Sequence, residues 1–102
     1  MAAAPPKQPL FSLGQVLATP GALEAMERAG QTPVEFLARH GQGDWGDVCD
    51  DDKTLNDDAI RDGSRIVSAY QTKLNVKLWV ITEATDDKGQ RAATTLLLPE
   101  EY

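Results

Sequence analysis

The chain has almost none of the residues that build disulfides and metal centres. It contains one cysteine, Cys49, and one histidine, His40, among 102 residues. A single cysteine excludes an intrachain disulfide, which suits a reducing cytoplasm. The pair also cannot supply the four nitrogen or sulfur ligands of a structural zinc site. We therefore expect a cytoplasmic protein with no bound metal and no cofactor.

Positive charge is scarce, and long apolar runs are missing. Ten Lys and Arg residues stand against 16 Asp and Glu residues, which gives a net charge of −6. Such a chain gains nothing from the counterion release that drives nucleic-acid binding, so we expect no direct contact with nucleic acid. No stretch approaches the roughly 20 apolar residues that span a bilayer, and the N-terminal MAAAPPKQPLF has no apolar run of signal-peptide length. The charge favours solubility or a basic protein partner.

What is present fits one small domain. A hydrophobic fraction of 41% and a charged fraction of 25% are typical of a globular protein with one modest core. Three prolines within residues 1–9 predict a flexible N-terminal arm. We therefore expect a single domain over residues 10–102.

The first half of this domain carries signals for a strand and two short helices. FSLGQVLAT, residues 11–19, has alternating apolar side chains and predicts a strand. Thr19-Pro20 and Thr32-Pro33 each place an N-cap hydroxyl before a proline, and Glu35 completes a T-x-x-E capping box. We predict an αα-hairpin of helices Pro20–Ala29 and Pro33–His40, each followed by a glycine.

An aspartate-rich stretch, residues 43–63, predicts a third helix. Asp50 or Asp51 is placed to cap a helix that runs to about Asp62 and stops at Gly63. The tryptophan that precedes this helix lies between two glycines and is expected in the core. The helical residues predicted to face the core are Leu23, Met26, Val34, Phe36, Leu37, Leu55, Ala59 and Ile60.

The aspartates of this stretch also raise the question of a functional surface. EF-hand frames that start at Asp50 or Asp52 lack the required glycine and final acidic ligand, so a calcium loop is not expected. First-turn aspartates complement the helix dipole, and Asp57 is placed to pair with Arg61. Two interpretations stay open: a solvated face, or a surface that meets a basic partner. The candidate acidic surface comprises Asp50, Asp51, Asp57, Asp58 and Asp62.

From Ser64 onwards the apolar period is two. SRIVSAYQTK, VKLWVITEAT and RAATTLLLP predict three strands, because they are rich in β-branched and aromatic residues. The connections near Leu74-Asn75 and Asp86–Gly89 are short, which implies antiparallel pairing. The chain therefore predicts an α+β fold: a short N-terminal strand, an αα-hairpin plus a third helix, and a three-stranded antiparallel β-meander.

Signals for catalysis are weak. Nothing in the spacing of His40 and Cys49 supports a nucleophile–base dyad. None of the serines lies in a G-x-S-x-G elbow, and there is no glycine-rich phosphate loop. As a DNA-reading helix, the second helix offers only Arg39 and His40. We therefore predict that the protein is not an enzyme and has no catalytic residues.

The predicted sheet has two partly apolar faces. Trp79 and Ile81 point away from Leu78 and Val80, and the helices can cover only one of these faces. The other face meets another chain, or the arm or a loop covers it. We predict a homodimer or partner site on this face or on the edge strand beside Trp79, with the aspartates on the opposite, helical side. The candidate interaction residues are Trp79, Ile81, Glu83 and Leu97.

Four blocks of sequence resemble a family of small bacterial proteins catalogued as plasmid-related or hypothetical: VLATPGALEAMERAGQTPVEFLARHGQGDWG, GSRIVSAY, LWVITEA and TTLLLPEEY. The likeness spans about Leu10 to Tyr102, and the last two blocks are its most specific parts. TDDKGQRAA, between them, is longer and more charged than in the family. The resemblance implies a mobile-element setting and no established activity. Some members carry a restriction–modification label, but a methyltransferase needs a far longer chain and a glycine-rich cofactor turn.

Three functions remain in order of preference. The first is a non-enzymatic accessory protein of a plasmid or mobile element that acts by protein–protein binding. The second is an acidic anti-defence protein that mimics nucleic acid and occupies the channel of a restriction or CRISPR-type complex. The third is a small enzyme. The expected partner is another protein, basic or nucleic-acid-handling, and no membrane contact is expected.

Overall fold

The fold is known from a computed structural model, which describes residues 8–102. Within this range one strand is followed by three helices and then by three strands, so the predicted α+β class is confirmed. The elements are β1 (Gln15–Ala18), α1 (Pro20–Arg28), α2 (Pro33–Gly41), α3 (Asp50–Asp62), β2 (Ile66–Gln71), β3 (Lys77–Thr82), β4 (Ala93–Leu97) and a C-terminal 3₁₀ turn (Pro99–Glu101). No helix in this range has the length and apolarity needed to cross a membrane. Most of the predicted arm, residues 1–9, lies outside the described residues.

The strands form one mixed sheet in the order β1-β4-β3-β2. β2, β3 and β4 pair antiparallel, so the three-stranded meander is confirmed. β1 is shorter than the strand predicted over residues 11–19, and it joins β4 in parallel. This parallel pairing was not predicted, and it makes the sheet four-stranded and mixed. A parallel neighbour requires a long connection, which the three helices and the meander provide.

The two threonine–proline starts behave differently. The Thr19 hydroxyl accepts a hydrogen bond from the Ala22 amide at 3.2 Å, as predicted. Thr32 makes no such bond, so the predicted capping box is wrong. Its intended partner, Glu35, instead accepts a hydrogen bond from the Gln31 side chain at 3.0 Å. The helix boundary at Pro33 is nevertheless correct, because proline favours the first helical position without any cap.

Helix α3 begins where expected, but its contacts differ. Cys49 is the N-cap residue, so the predicted aspartate cap is wrong. Asp57 accepts a hydrogen bond from the indole nitrogen of Trp45 at 2.9 Å, and it is Asp58 that lies near Arg61, at 3.8 Å. The predicted pair of Asp57 with Arg61 is therefore wrong. The predicted stop at Gly63 is confirmed, because its φ of 85° is the left-handed conformation that glycine adopts freely.

Two apolar clusters form the core. The predicted core position of Trp45 is confirmed, since the residue is 4% exposed. The larger cluster contains Ala22, Met26, Phe36, Tyr70, Leu78, Val80 and Leu96. The smaller contains Phe11, Trp45, Ala59 and Ile66. Both lie on the sheet face that the helices cover.

Three of the predicted core residues are exposed. Leu23, Val34 and Leu55 are 47%, 71% and 64% exposed, so their inward placement is wrong. On α3 the buried positions are Asn56, which was not predicted, and Ala59, whose predicted inward placement is confirmed. A small residue such as Ala59 lets the helix approach the sheet closely, and Asn56 adds hydrogen bonds to it. The stabilisation from this close packing and bonding exceeds what burial of Leu55 would contribute.

The outer edge of β2 is closed by other parts of the chain. The Asn56 side chain donates to the Val67 carbonyl at 2.8 Å and accepts from the Val67 amide at 3.2 Å. Two residues further, the Ala69 amide donates to the Trp45 carbonyl, and the Ala69 carbonyl accepts from the Asp47 amide. The strand beside Trp79 therefore offers no free backbone groups at Val67 and Ala69. A partner site on that edge stays a prediction, and it would have to use side chains at these two positions.

Candidate functional site

A groove with a volume of about 650 Å³ lies between the start of α3 and the outer face of the sheet. Its floor is apolar and consists of Val67, Ala69, Trp79 and Ile81. These residues lie side by side because β2 and β3 are in register, Val67 opposite Ile81 and Ala69 opposite Trp79. We call this the Trp79 groove.

The strand period places this floor opposite the core. Leu78, Val80 and Thr82 are fully buried beneath the helices, so Trp79 and Ile81 must face the other way. Ile81 is nevertheless only 6% exposed, and Trp79 is half-buried. The open sheet face is thus partly covered by the chain itself.

The cover is provided by the C-terminal residue. The Tyr102 ring lies edge-on to Trp79 with ring centroids 5.8 Å apart, and the Arg65 guanidinium lies 5.9 Å from the Tyr102 ring centroid. Arg65 donates a hydrogen bond to the Tyr102 hydroxyl at 2.7 Å. The preceding Glu101 anchors this segment to the start of α1, where its carboxylate accepts from the Thr19 hydroxyl and from the Gly21 amide. Arg65 and Tyr102 therefore form one wall of the groove.

The opposite wall carries two carboxylates, those of Asp47 and Asp52, and we call it the acidic wall. Its other lining residues are Val48, Leu55, Asn56 and the exposed Cys49. The aspartates were predicted on the helical side, away from Trp79, and for this end of α3 that placement is wrong. The first turn of α3 lies beside the edge of β2 and reaches the outer face through Asp52, whereas Ala59 further along the helix is in the core.

The predicted interaction residues are only partly brought together. Trp79 and Ile81 form the groove floor, whereas Leu97 lies next to Trp79 in register and is 6% exposed. Glu83 follows β3 and is exposed, but it does not line the groove. Their role in binding stays a prediction.

The predicted acidic surface is divided in a similar way. Asp50 and Asp51 are exposed in the first turn of α3, beside the groove-lining Asp52. Asp57 is bonded to Trp45, and Asp62 accepts a hydrogen bond from the Ser64 amide at 2.8 Å. Asp58 is the residue that lies near Arg61.

Among the groove residues that sequence reasoning missed, those with charged or aromatic side chains are Asp47, Asp52, Arg65 and Tyr102. No local pattern points to them, because they come from the loop before α3, from α3, from the segment before β2 and from the C-terminal end. The one available signal was the aromatic residue that closes the TTLLLPEEY block.

His40 does not form a dyad with Cys49. It is fully buried, and its two ring nitrogens contact Ser68 at 2.5 Å and Thr82 at 2.8 Å. Thr82 in turn contacts Thr94 at 2.7 Å, and Thr94 donates to the Leu13 carbonyl. His40 is thus part of a buried polar chain that links α2 to three strands and the segment before β1.

The Leu13 carbonyl, at the end of this series of hydrogen bonds, fixes which group donates in the bonds between Thr94, Thr82 and His40. A carbonyl oxygen accepts only, so the Thr94 hydroxyl must donate to Leu13 and accept from Thr82. Thr82 must then accept from the Nε2–H of His40. Burial, together with the nearby Arg91 charge, lowers the pKa of His40 to about 4. The imidazole is therefore neutral at pH 7, and its Nδ1 accepts from the Ser68 hydroxyl.

Acid should destabilise the protein through His40. The unfolded chain takes up a proton near pH 6.5, but the folded chain resists it until about pH 4, so stability falls as the pH drops through this window. Between pH 6.5 and 5 the loss should be about 2 kcal/mol. Urea unfolding at both pH values measures it. His40→Gln keeps one donor and one acceptor without a titrating group, and it should lose about 2 kcal/mol less than the wild type. Equal losses would contradict the role of His40.

No protein-family model, curated protein or solved structure matches the chain. The comparisons thus bear neither for nor against the resemblance to the plasmid-related family. Across residues 8–102, no three His, Cys, Asp or Glu side chains lie close enough together to hold a metal ion. Function has to be inferred from the chemistry of the groove itself.

Proposed function

We propose that the protein is a non-enzymatic accessory protein of a plasmid or related mobile element, and that it acts by binding another protein through the Trp79 groove. One observation carries the proposal. The groove joins an apolar floor at Trp79 and Ile81 to an acidic wall at Asp47 and Asp52. An aromatic residue in a partly desolvated site, bordered by charge, is the arrangement typical of a binding hot spot.

The groove favours a particular kind of ligand. Its volume of about 650 Å³ falls in the range of ligand-binding clefts and holds a few side chains. The closed edge of β2 excludes strand addition at Val67 and Ala69, so a ligand has to bind through its side chains. An aliphatic or aromatic side chain fits the floor, and a neighbouring Lys or Arg fits the acidic wall. We infer a basic segment with one apolar anchor.

The acidic-decoy alternative has less support. A nucleic-acid mimic presents rows of free carboxylates, but Asp57 is bonded to Trp45 and Asp62 to the Ser64 amide. These internal contacts favour binding at the groove. The mobile-element setting rests on the sequence resemblance alone, and neighbouring genes for plasmid maintenance or transfer would support it.

Selection from a random peptide library tests the groove. The wild type should enrich peptides in which an apolar residue adjoins Lys or Arg, and the Trp79→Ala variant should bind them about 30-fold more weakly. Asp52→Asn should weaken them about threefold, with an effect that shrinks in high salt. Circular dichroism and thermal melts confirm that each variant is folded.

Two controls sharpen this test. Val34→Ala removes an exposed apolar side chain on α2, and Asp87→Asn removes an exposed carboxylate in the loop between β3 and β4. Neither residue lines the groove, so both variants should bind like the wild type. Failure to enrich any motif, or equal binding by the folded Trp79→Ala variant, would rule out the groove as the binding site.

A further inference from the structure

The two edge strands of the sheet, β2 and β1, differ in whether other residues pair with their outer backbone groups. The edge of β2 is closed by Asn56 and by the segment at Trp45, as described above. Within residues 8–102, β1, at the other edge, pairs with β4 on one side only. Its residues Val16 and Leu17 are 45% and 44% exposed, and the strand QVLA contains no charged residue, proline or glycine. Charged side chains, proline and glycine-containing bulges are the features that usually protect an edge strand from pairing, and β1 has none of them.

The hydrogen-bonding groups of the free side can be assigned. The amide of Gln15 donates to the carbonyl of Ala92, directly before β4, and the amide of Thr19 donates to Leu96 in β4, at 3.0 Å each. Alternate residues of a strand direct their backbone groups to the same side, so Leu17 also faces β4. Val16 and Ala18 therefore direct both N–H and C=O away from the sheet. β1 thus presents two donors and two acceptors along an uncharged edge.

The largest cluster of negative charge lies at the far side of the molecule. Helix α3, with six aspartates against one Lys and one Arg, packs on β2, and β2 and β1 are the opposite ends of the sheet. The strand β1 itself carries no charge, and the Glu101 carboxylate beside its end is bonded to the Thr19 hydroxyl and the Gly21 amide. The acidic helix therefore attracts a basic partner to the α3 side and does not repel a second copy at β1. In a sheet extended through β1, the two acidic helices lie beside the outermost strands, about 34 Å apart, which is several Debye lengths in physiological salt.

We propose that β1 is a self-association edge. Two copies pair their β1 strands antiparallel about a two-fold axis and form one continuous sheet. Val16 of each copy then exchanges two backbone hydrogen bonds with Ala18 of the other, and the two Leu17 side chains meet across the axis. We infer that a second copy binds this edge because the outward groups of Val16 match those of Ala18 in a copy that runs antiparallel. In that arrangement the two acidic helices also remain far apart. The dimer is independent of the Trp79 groove.

Sedimentation measures the association. Because the paired strands are short, we expect a weak dimer that becomes populated between about 10 µM and 1 mM protein. Val16→Pro removes an outward N–H without touching a bond to β4, and proline is tolerated on an edge strand. This variant should stay monomeric over the same range with little change in melting temperature. Leu17→Pro removes a donor that faces β4 instead, and it should lower the melting temperature.

Hydrogen exchange gives a test that needs no variant. At low concentration the amides of Val16 and Ala18 should exchange quickly, whereas the Leu17 amide is protected by β4. At high concentration all three should be protected. The dependence on concentration distinguishes pairing between copies from any structure within one chain.

Each outcome decides the proposal. A wild type that remains monomeric at about 1 mM overturns it, as does a dimer that persists in Val16→Pro. A dimer lost only in Trp79→Lys would place the contact at the groove face instead. If Val16→Pro does not fold, Val16→Lys takes its place, because it keeps the backbone and adds charge beside the axis.

Discussion

Replacing Gly46 with alanine is expected to destabilise the protein by about 3 kcal/mol or more. Gly46 has a φ of 72°, which is unfavourable for alanine. An added Cβ would also overlap the Ala69 carbonyl oxygen and approach the Tyr70 ring carbon Cδ1 to 2.7 Å. That carbonyl cannot move away easily, because it accepts the Asp47 amide that closes the edge of β2.

Gly89→Ala is the matched control for this change. Gly89 has a φ of 75°, but no heavy atom lies within 4 Å of its added Cβ. Its replacement should therefore cost only the left-handed backbone penalty, about 1 kcal/mol. Urea unfolding of both variants separates backbone strain from close approach. Equal costs would contradict the tight contact of the Gly46 segment with β2.

Truncation of Arg91 should have a similarly large effect. Arg91 is 6% exposed and donates to the carbonyls of Ser64, Glu83 and Ala59 at 2.8–2.9 Å. It thus joins the end of α3, the segment before β2 and the end of β3. Arg91→Ala removes these three charge-assisted hydrogen bonds, after which the Ala59 carbonyl keeps only the Gly63 amide as a donor, and it should cost about 3–5 kcal/mol.

Two further substitutions test the interpretation of Arg91. Lysine keeps the charge but lacks the planar fork that reaches three carbonyls, so Arg91→Lys should fall between the wild type and Arg91→Ala. Arg61→Ala removes an exposed arginine whose contact with Asp58 is 3.8 Å long, and it should cost less than about 0.5 kcal/mol. Chemical unfolding ranks all three, and a cost for Arg91→Ala no larger than that for Arg61→Ala would rule out a structural role for the buried guanidinium.

The structural roles of Arg91 and His40 could not be predicted from the sequence. Arg91 lies in TDDKGQRAA, a stretch whose charge indicates a solvated turn. Its burial depends on three carbonyls that are up to 32 residues away in sequence. His40 gives an equally weak signal, because its partners Ser68 and Thr82 lie 28 and 42 residues further along the chain.

The sequence by itself determined the elements. The bonds that define them are local: the Thr19 cap reaches three residues ahead, and Gly63 ends α3 through its own backbone conformation. Strand alternation likewise separated Trp79 and Ile81 from the core face. These signals act within a few residues, so the α+β class and most of the element boundaries could be predicted from them.

The tertiary structure alone decided how the elements meet. Asn56 rather than Leu55 faces the sheet because its amide pairs with both backbone groups of the half-buried Val67, and two unpaired backbone groups together cost more than one exposed leucine. That rotation places Asp52 opposite Trp79 and so creates the groove. The position of β1 beside β4 has the same origin. It depends on hydrogen bonds between residues some 80 positions apart, which no local period encodes.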